Sequence, residues 1–300
     1  MNNTNEINSL QADIQRHKDF SMISKAYAEG LWEIHTSNAL FFNYFLKKER
    51  VTTFHVLMCY IFSCNKASLS DFYALCSEEK FSGKNNAIKF LDYLEYAGIV
   101  MIIKMSDRRR KKVVLTEKGR EYLNHFTLKT LTPLAIYDPE IDCTLLLTDG
   151  FYRAYYSDKN LNECISWKLD LNSNYINKPQ LLEIQSKSGG FIFLIKILLD
   201  IRNGVVKFGE RVKGLFFSNL SQEIGSSLSQ VQNLVTLMVD GGFIERSGAS
   251  YLIKDELIKG IEYVISQLLA SDYYFIRGFL RMEAAKHAPT DMAIHRLMGN

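Results

Sequence analysis

One order of segments occurs twice in this chain, and any fold has to accommodate both copies. In the first, TTFHVLMCYIFSC (52–64) is an apolar run of helical length, and ASLSDFYALC (67–76) is short and opens with serines. SGKNNAIKFLDYLEYAGIV (82–100) then places Ala87, Phe90, Leu91 and Leu94 on one helical face. Ser68 or Ser70 is the expected cap of the second helix. Gly98 is expected to end the third, because glycine accepts the positive φ that closes many helices. VMIIKM (100–105) and KKVVLT (111–116) are β-rich and bracket SDRRR. The second copy runs GGFIFLIKILLDI (189–201), FSNLSQEIG (217–225, again read as Ser-capped), SSLSQVQNLVTLMVDGGFI (226–244) and the tight hairpin IERSGASYLI (244–253). Setting AGIV (97–100) against GGFI (241–244) aligns Leu91 with Val235, Leu94 with Met238 and Gly98 with Gly242. Three helices and a hairpin, twice, predict a structural duplication of a winged helix-turn-helix.

The rest of the chain is read around these copies. Ile7, Leu10, Ile14 and then Ile23, Tyr27, Leu31, Ile34 recur at helical spacing. Residues 127–188 carry Pro133, Pro139 and Pro179, a Trp167 segment, and TLLLTDGFYRAYYS, which periodicity leaves open as strand or helix. KDELIKGIEYVISQLLASDYYFIRGFLRMEAAKH (254–287) reads as long helix, with a break near Ser271 as an alternative to one continuous rod. The tail APTDMAIHRLMGN is expected to be loosely held. The expected class is mainly α with small β-hairpin wings. The segments are scaffold helices 1–50, module 51–126, a middle segment 127–188, module 189–254, and C-terminal helices and tail 255–300.

Charge decides little globally and much locally. The formal net charge of the 300 residues is only +3, so an electrostatic partner has to be argued from clustering. Five cysteines (Cys59, Cys64, Cys76, Cys143, Cys164) form no CxxC pair, which predicts reduced thiols in a cytoplasmic protein. The polar start carries no signal-peptide pattern, and GGFIFLIKILL is too short for a membrane span.

The clustering lies at 108–112, where Arg108, Arg109, Arg110, Lys111 and Lys112 follow one another at a hairpin tip. Like charges repel, and no acidic run adjoins them in sequence. A solvated hairpin is the bland reading of a lone basic run. On the wing of a winged helix, the same run reaches the minor groove flanking a bound helix, where negative potential is concentrated. The preceding helix offers Ser82, Lys84, Asn85, Asn86 and Lys89 opposite its apolar face. Asparagine pairs bidentately with adenine, and lysine reaches guanine or phosphate. A solvent-facing helix surface favours the same residues, so they gain meaning only beside the wing. In the second copy the matching positions are Ser226, Ser227, Ser229, Gln230 and Asn233, all neutral, with a weaker expectation of DNA contact.

SDRRRKKVVLTEKGREYL (106–123) resembles the wing of MarR-type bacterial transcription regulators, whose pattern is Asp-Arg-Arg, a strand, then Leu-Thr-x-x-Gly. Asp107, Arg108 and Arg109 match the first part, and Leu115, Thr116 and Gly119 the second. The resemblance covers residues 52–123 and is weak for the second copy. It implies that Asp107 helps hold the wing and that Arg108 or Arg109 enters the minor groove. Thr116 is the expected cap of the next helix on bottom-up grounds as well.

Other motifs point elsewhere or nowhere. The aromatic groups Phe41-Phe42-Tyr44-Phe45, Phe151-Tyr152-Tyr155-Tyr156 and Tyr273-Tyr274-Phe275 are read as core packing rather than base-stacking platforms. The middle group has a second reading, a pocket for a small aromatic effector. The sequence holds no GxxxxGK, HExxH, GxSxG or GxGxxG motif, and its six histidines show no zinc spacing. His55 is read as a core histidine. No catalytic residue, metal or cofactor is therefore expected. The reading is a sequence-specific regulator of double-stranded DNA, monomeric with two unequal heads or homodimeric. Its half-sites would lie about 10 bp apart. Alternatives are a plasmid replication initiator with tandem winged helices and a tandem winged-helix adaptor that binds protein.

Overall fold

The computed structural model describes residues 3–63, 68–79, 81–107, 110–157, 161, 179–207 and 209–287. The expectations for Cys64, Arg108, Arg109, Cys164, Trp167 and the tail 288–300 lie outside the described residues. The chain is mainly helical, with two small antiparallel sheets.

Helices α1 (Asn3–Arg16), α2 (Phe20–Ser37) and α14 (Asp255–His287) form a scaffold from the two ends of the chain. Ile7, Leu10 and Ile14 of α1 are buried, as are Ile261, Ile265 and Leu269 of α14. Between the two helices, Gln11 Nε2 and Gln15 Nε2 donate to Ser266 Oγ at 3.2 and 2.9 Å. The break considered near Ser271 does not occur, and α14 is continuous. No proline interrupts it, and Ser271 sits on its buried side.

The two copies follow. The first comprises α4 (Lys48–Ser63), α5 (Leu69–Glu78), α6 (Lys84–Tyr96), β1 (Val100–Lys104) and β2 (Lys111–Leu115). It is preceded by α3 (Ala39–Phe45). The second comprises α11 (Gly190–Arg202), β3 (Arg211–Lys213), α12 (Gly214–Glu223), α13 (Leu228–Asp240), β4 (Ile244–Ser247) and β5 (Ser250–Ile253). Helices α6 and α13 have the same length and end alike. Gly98 and Gly242 both take φ +72. Ile99 N bonds Leu94 O and Gly98 N bonds Glu95 O, just as Phe243 N bonds Met238 O and Gly242 N bonds Val239 O. This is the paired 6→1 and 5→2 closure that a left-handed glycine permits. Leu91, Leu94, Val235 and Met238 are all buried, so the aligned residues are the core of both copies.

Two details of the second copy differ from the sequence expectation. Helix α12 starts at Gly214 with Lys213 at its cap position, so no serine caps it and Ser218 lies within the helix. The cause is β3, a three-residue strand that pairs with β5 and feeds straight into α12.

The described part of the middle segment is short helices joined by turns, with an irregular stretch at 138–144. Helix α7 (Glu117–Leu131) runs through 126–127 without interruption, and α8 (Leu134–Tyr137) follows. A 3-10 turn (Leu145–Leu147) leads into α9 (Asp149–Tyr155), and α10 (Pro179–Ser186) precedes the second copy. The aromatic residues of α9 wedge between copy one and α14. Phe62 stacks on Tyr152 and Tyr156, and Phe151 meets Phe279 edge-on. Phe151, Tyr152 and Tyr156 are buried. Phe41, Phe42, Phe45, Tyr273 and Phe275 are likewise buried.

Within this wedge the Tyr155 hydroxyl donates to Asp272 of α14. Burial pushes the Asp272 carboxyl from 3.8 up to about 7, against that hydrogen bond. A carboxyl raised in the folded state stabilises the fold below its unfolded value, and that contribution is lost as pH rises through the folded value. Asp272→Asn should therefore gain stability relative to the parent between pH 4 and about 7, with a constant difference above. Urea denaturation across this range checks it, and a difference independent of pH would contradict it.

Candidate nucleic-acid interface

Helix α5 opens with the Ser68 N–H donating to Asp71 Oδ2 at 2.6 Å. A short turn follows, in which the amides of Phe81 and Ser82 bond the Cys76 carbonyl and Phe81 is buried. This fixes where α6 begins. Gly83 sits at its cap in extended conformation, no side chain caps it, and its first turn has no acidic residue. The partial positive charge of a helix start is thus left uncompensated, an arrangement suited to an anion.

The side chains divide as their spacing predicts. Ala87, Phe90, Leu91 and Leu94 face the core, while Lys84, Asn85, Asn86 and Lys89 are exposed and Ser82 is half-buried. The exposed stripe continues through Asp92 to Tyr96, which is 92% exposed. Sequence reasoning missed these two, although the three- and four-residue steps from Asn85 and Lys89 reach both.

The hairpin pairs Val100 with Leu115 and Lys104 with Lys111, and the described residues 105–107 and 110 lie beyond the paired strands. Met105 N bonds Arg110 O, and Arg110 N bonds Asp107 O, each at 2.9 Å. Asp107, Arg110 and Lys111 are exposed, and Lys112 is half-buried. The absence of an acidic partner is corrected in one respect. Helix α5 packs beneath β2 and brings Asp71 Oδ2 within 3.7 Å of Arg110 Nη2. The two side chains are 46% and 57% exposed, so the pair is worth about 0–1 kcal/mol. Ser68, through its amide and hydroxyl, does more than Arg110 to hold the Asp71 carboxyl below its ordinary range. A pair this weak leaves Arg110 able to exchange Asp71 for another anion.

The base of the hairpin is hydrogen-bonded to the end of α6. Thr116 Oγ1 accepts from Gly119 N at 2.9 Å, capping α7 as expected, and donates to Gly98 O at 2.6 Å. Lys118 Nζ donates to Ala97 O at 2.7 Å. The carbonyls left over at the end of α6 are therefore taken by the first residues leading into α7.

The matching surface of the second copy is used differently. Ser227 Oγ accepts from Gln230 N at 3.2 Å, capping α13. Gln230 Nε2 donates to Ser188 O at 3.4 Å, and Asn43 of α3 donates to the carbonyls of Ile224 and Gly225. Ser226 is half-buried beside Gly189, where an added Cβ would lie 2.8 Å from its Oγ. Of the five expected contact residues, Ser226 and Gln230 thus contact the chain's own turn at 188–189, Ser227 is exposed and caps α13, and Ser229 and Asn233 are exposed. Leu228, half-exposed, stands where α6 has Lys84. The second hairpin closes Ser247 on Ser250 through Gly248 and Ala249, and Arg211 pairs with Glu245 at 2.7 Å.

Among the described residues, no three His, Cys, Asp or Glu side chains gather as a metal site, and no helix is long and apolar enough to cross a membrane. His55 packs against the rings of Tyr155 and Tyr156, and burial lowers its imidazole to about 4. No family model, curated protein or solved structure matches the chain.

A Cβ at Gly119 would lie 1.9 Å from Ile99 O, whereas one at Gly278 in α14 would meet nothing within 4 Å. Gly119→Ala should cost about 1–3 kcal/mol through overpacking of the hairpin base. Gly278→Ala should gain about 0.5–1 kcal/mol from helix propensity. Chemical denaturation of both variants checks this, and stabilisation by Gly119→Ala would contradict the tight joint.

Proposed function

We propose that the chain is a sequence-specific regulator of double-stranded DNA whose first copy is a winged helix-turn-helix. In this reading α6 enters the major groove with Lys84, Asn85, Asn86 and Lys89. The hairpin then lies along the flanking minor groove with Arg108, Arg109, Arg110, Lys111 and Lys112. One observation carries the reading. Two copies share one frame, and only one of them combines a cation-bearing, uncapped helix start with a long cationic hairpin. Had the frame alone required these charges, α13 and its hairpin would carry them too.

The resemblance of residues 106–123 to MarR-type regulators supports the same assignment. The second copy is assigned to the scaffold, because Ser226 and Gln230 contact the chain's own turn at 188–189 and Ser227 caps α13. One chain then offers one cationic head, and a two-headed site takes two chains. In a protein-binding adaptor built on the same frame the hairpin charge would be incidental.

Salt dependence separates these readings. Each phosphate contact contributes about 0.9 to the slope of log K against log salt. Lys84→Ala and Lys89→Ala should each lower the slope by about 0.9 on duplex DNA, and Arg108→Ala/Arg109→Ala/Arg110→Ala by about two to three such steps. Asn85→Ala should cost about 1–3 kcal/mol of discrimination between sites with the slope kept. Fluorescence anisotropy over a salt series measures all three, and unaltered slopes would remove the proposal.

A further inference from the structure

Away from the DNA-facing elements, an open cleft of about 410 Å³ lies between the end of α11 and the first turns of α14. Its volume is that of a small-molecule site. Ile201 and Arg202 line it from α11, and Asp255, Ile258, Lys259 and Glu262 from α14. The lining therefore holds two cations, two carboxylates and two aliphatic side chains.

The charges are arranged as two ion pairs. Arg202 Nη2 pairs with Glu262 Oε1, both half-buried. Lys259 Nζ pairs with Asp255 Oδ2 at 2.5 Å in a more exposed position. Glu262 Oε1 also accepts from Ser24 Oγ of α2 at 3.1 Å, which commits that oxygen. Among the described residues, Glu262 Oε2 and Arg202 Nη1 make no hydrogen bond. Arg202 Nε is likewise buried without a partner among the described residues, so the deeper pair retains two donor nitrogens and one acceptor oxygen for a second partner.

A singly charged ligand gains from one member of each pair and is opposed by the other, since the lining sums to zero charge. A zwitterion gains from both members. We propose that this cleft binds an aliphatic α-amino acid. Its carboxylate sits on Arg202 and Lys259, its ammonium on Glu262 and Asp255, and its side chain between Ile201 and Ile258. The bound ligand braces α11 against α14, and Ser24 ties α2 into the same network. This inference does not rest on the DNA reading.

Calorimetric titration of the full chain tests it with L-leucine and two analogues that each lack one charge, 3-methylbutylamine and 4-methylpentanoate. The expected result is saturable binding of L-leucine alone. Arg202→Lys and the outer variant Asp255→Ala/Lys259→Ala should each weaken it by about tenfold or more, with circular dichroism unchanged. No saturable heat from L-leucine, equal binding of either analogue, or undiminished binding by the outer variant would overturn the proposal.

Discussion

The carbonyl oxygens at the end of α6 belong to Ala97, Gly98 and Ile99, and each finds its donor in residues 116–118. This joint sets the hairpin's direction relative to the helix before it. Gly98 turns the chain at positive φ, Ile99 returns its amide to Leu94, and Gly119 lets α7 approach within contact of the Ile99 carbonyl. The Gly98 and Ile99 carbonyls bond in part-buried positions, where an unpaired carbonyl would cost about 1–3 kcal/mol, while the bond to Ala97 O is exposed. The second copy repeats the essential bond, with Lys254 N donating to Phe243 O.

On this shared joint the two copies differ in surface chemistry. The first gathers exposed cations on α6 and its hairpin, and there Arg110 pairs with Asp71 of α5 at 3.7 Å, both side chains well exposed. The second spends its helix start on a serine cap and contacts to α3 and the turn before α11, and its sheet balances Arg211 with Glu245. Phosphate binding draws on clustered charge, and the first copy alone has five cations in succession, at 108–112, whereas exposed Lys213 and Arg246 of the second copy's sheet stand apart in sequence.

What could be read from sequence was what is local. The helix faces, Gly98 and Gly242, the Thr116 cap and the hairpin strands follow from spacing and from residues that admit few backbone conformations. Contacts across long separations stayed hidden. Asp71 meets Arg110 only because α5 packs under β2, and Gln230 meets Ser188 only because α10 and α11 turn beside α13. Strand β3 has no alternating pattern in Arg-Val-Lys and exists through its pairing with β5. The continuity of α14 past Ser271 reflects buried neighbours from α9 and α1, which the local residues Ala-Ser-Asp do not announce.

The central claim, that the long cationic hairpin of the first copy grips duplex DNA, is tested most directly by exchanging hairpins. Residues 105–110 can be replaced by the Gly-Ala turn that closes the second hairpin, since both register from an equivalent joint. The exchanged protein should keep its circular dichroism spectrum and melting transition while losing most of its affinity for duplex DNA at low salt. Undiminished binding by a folded exchange variant would contradict the account.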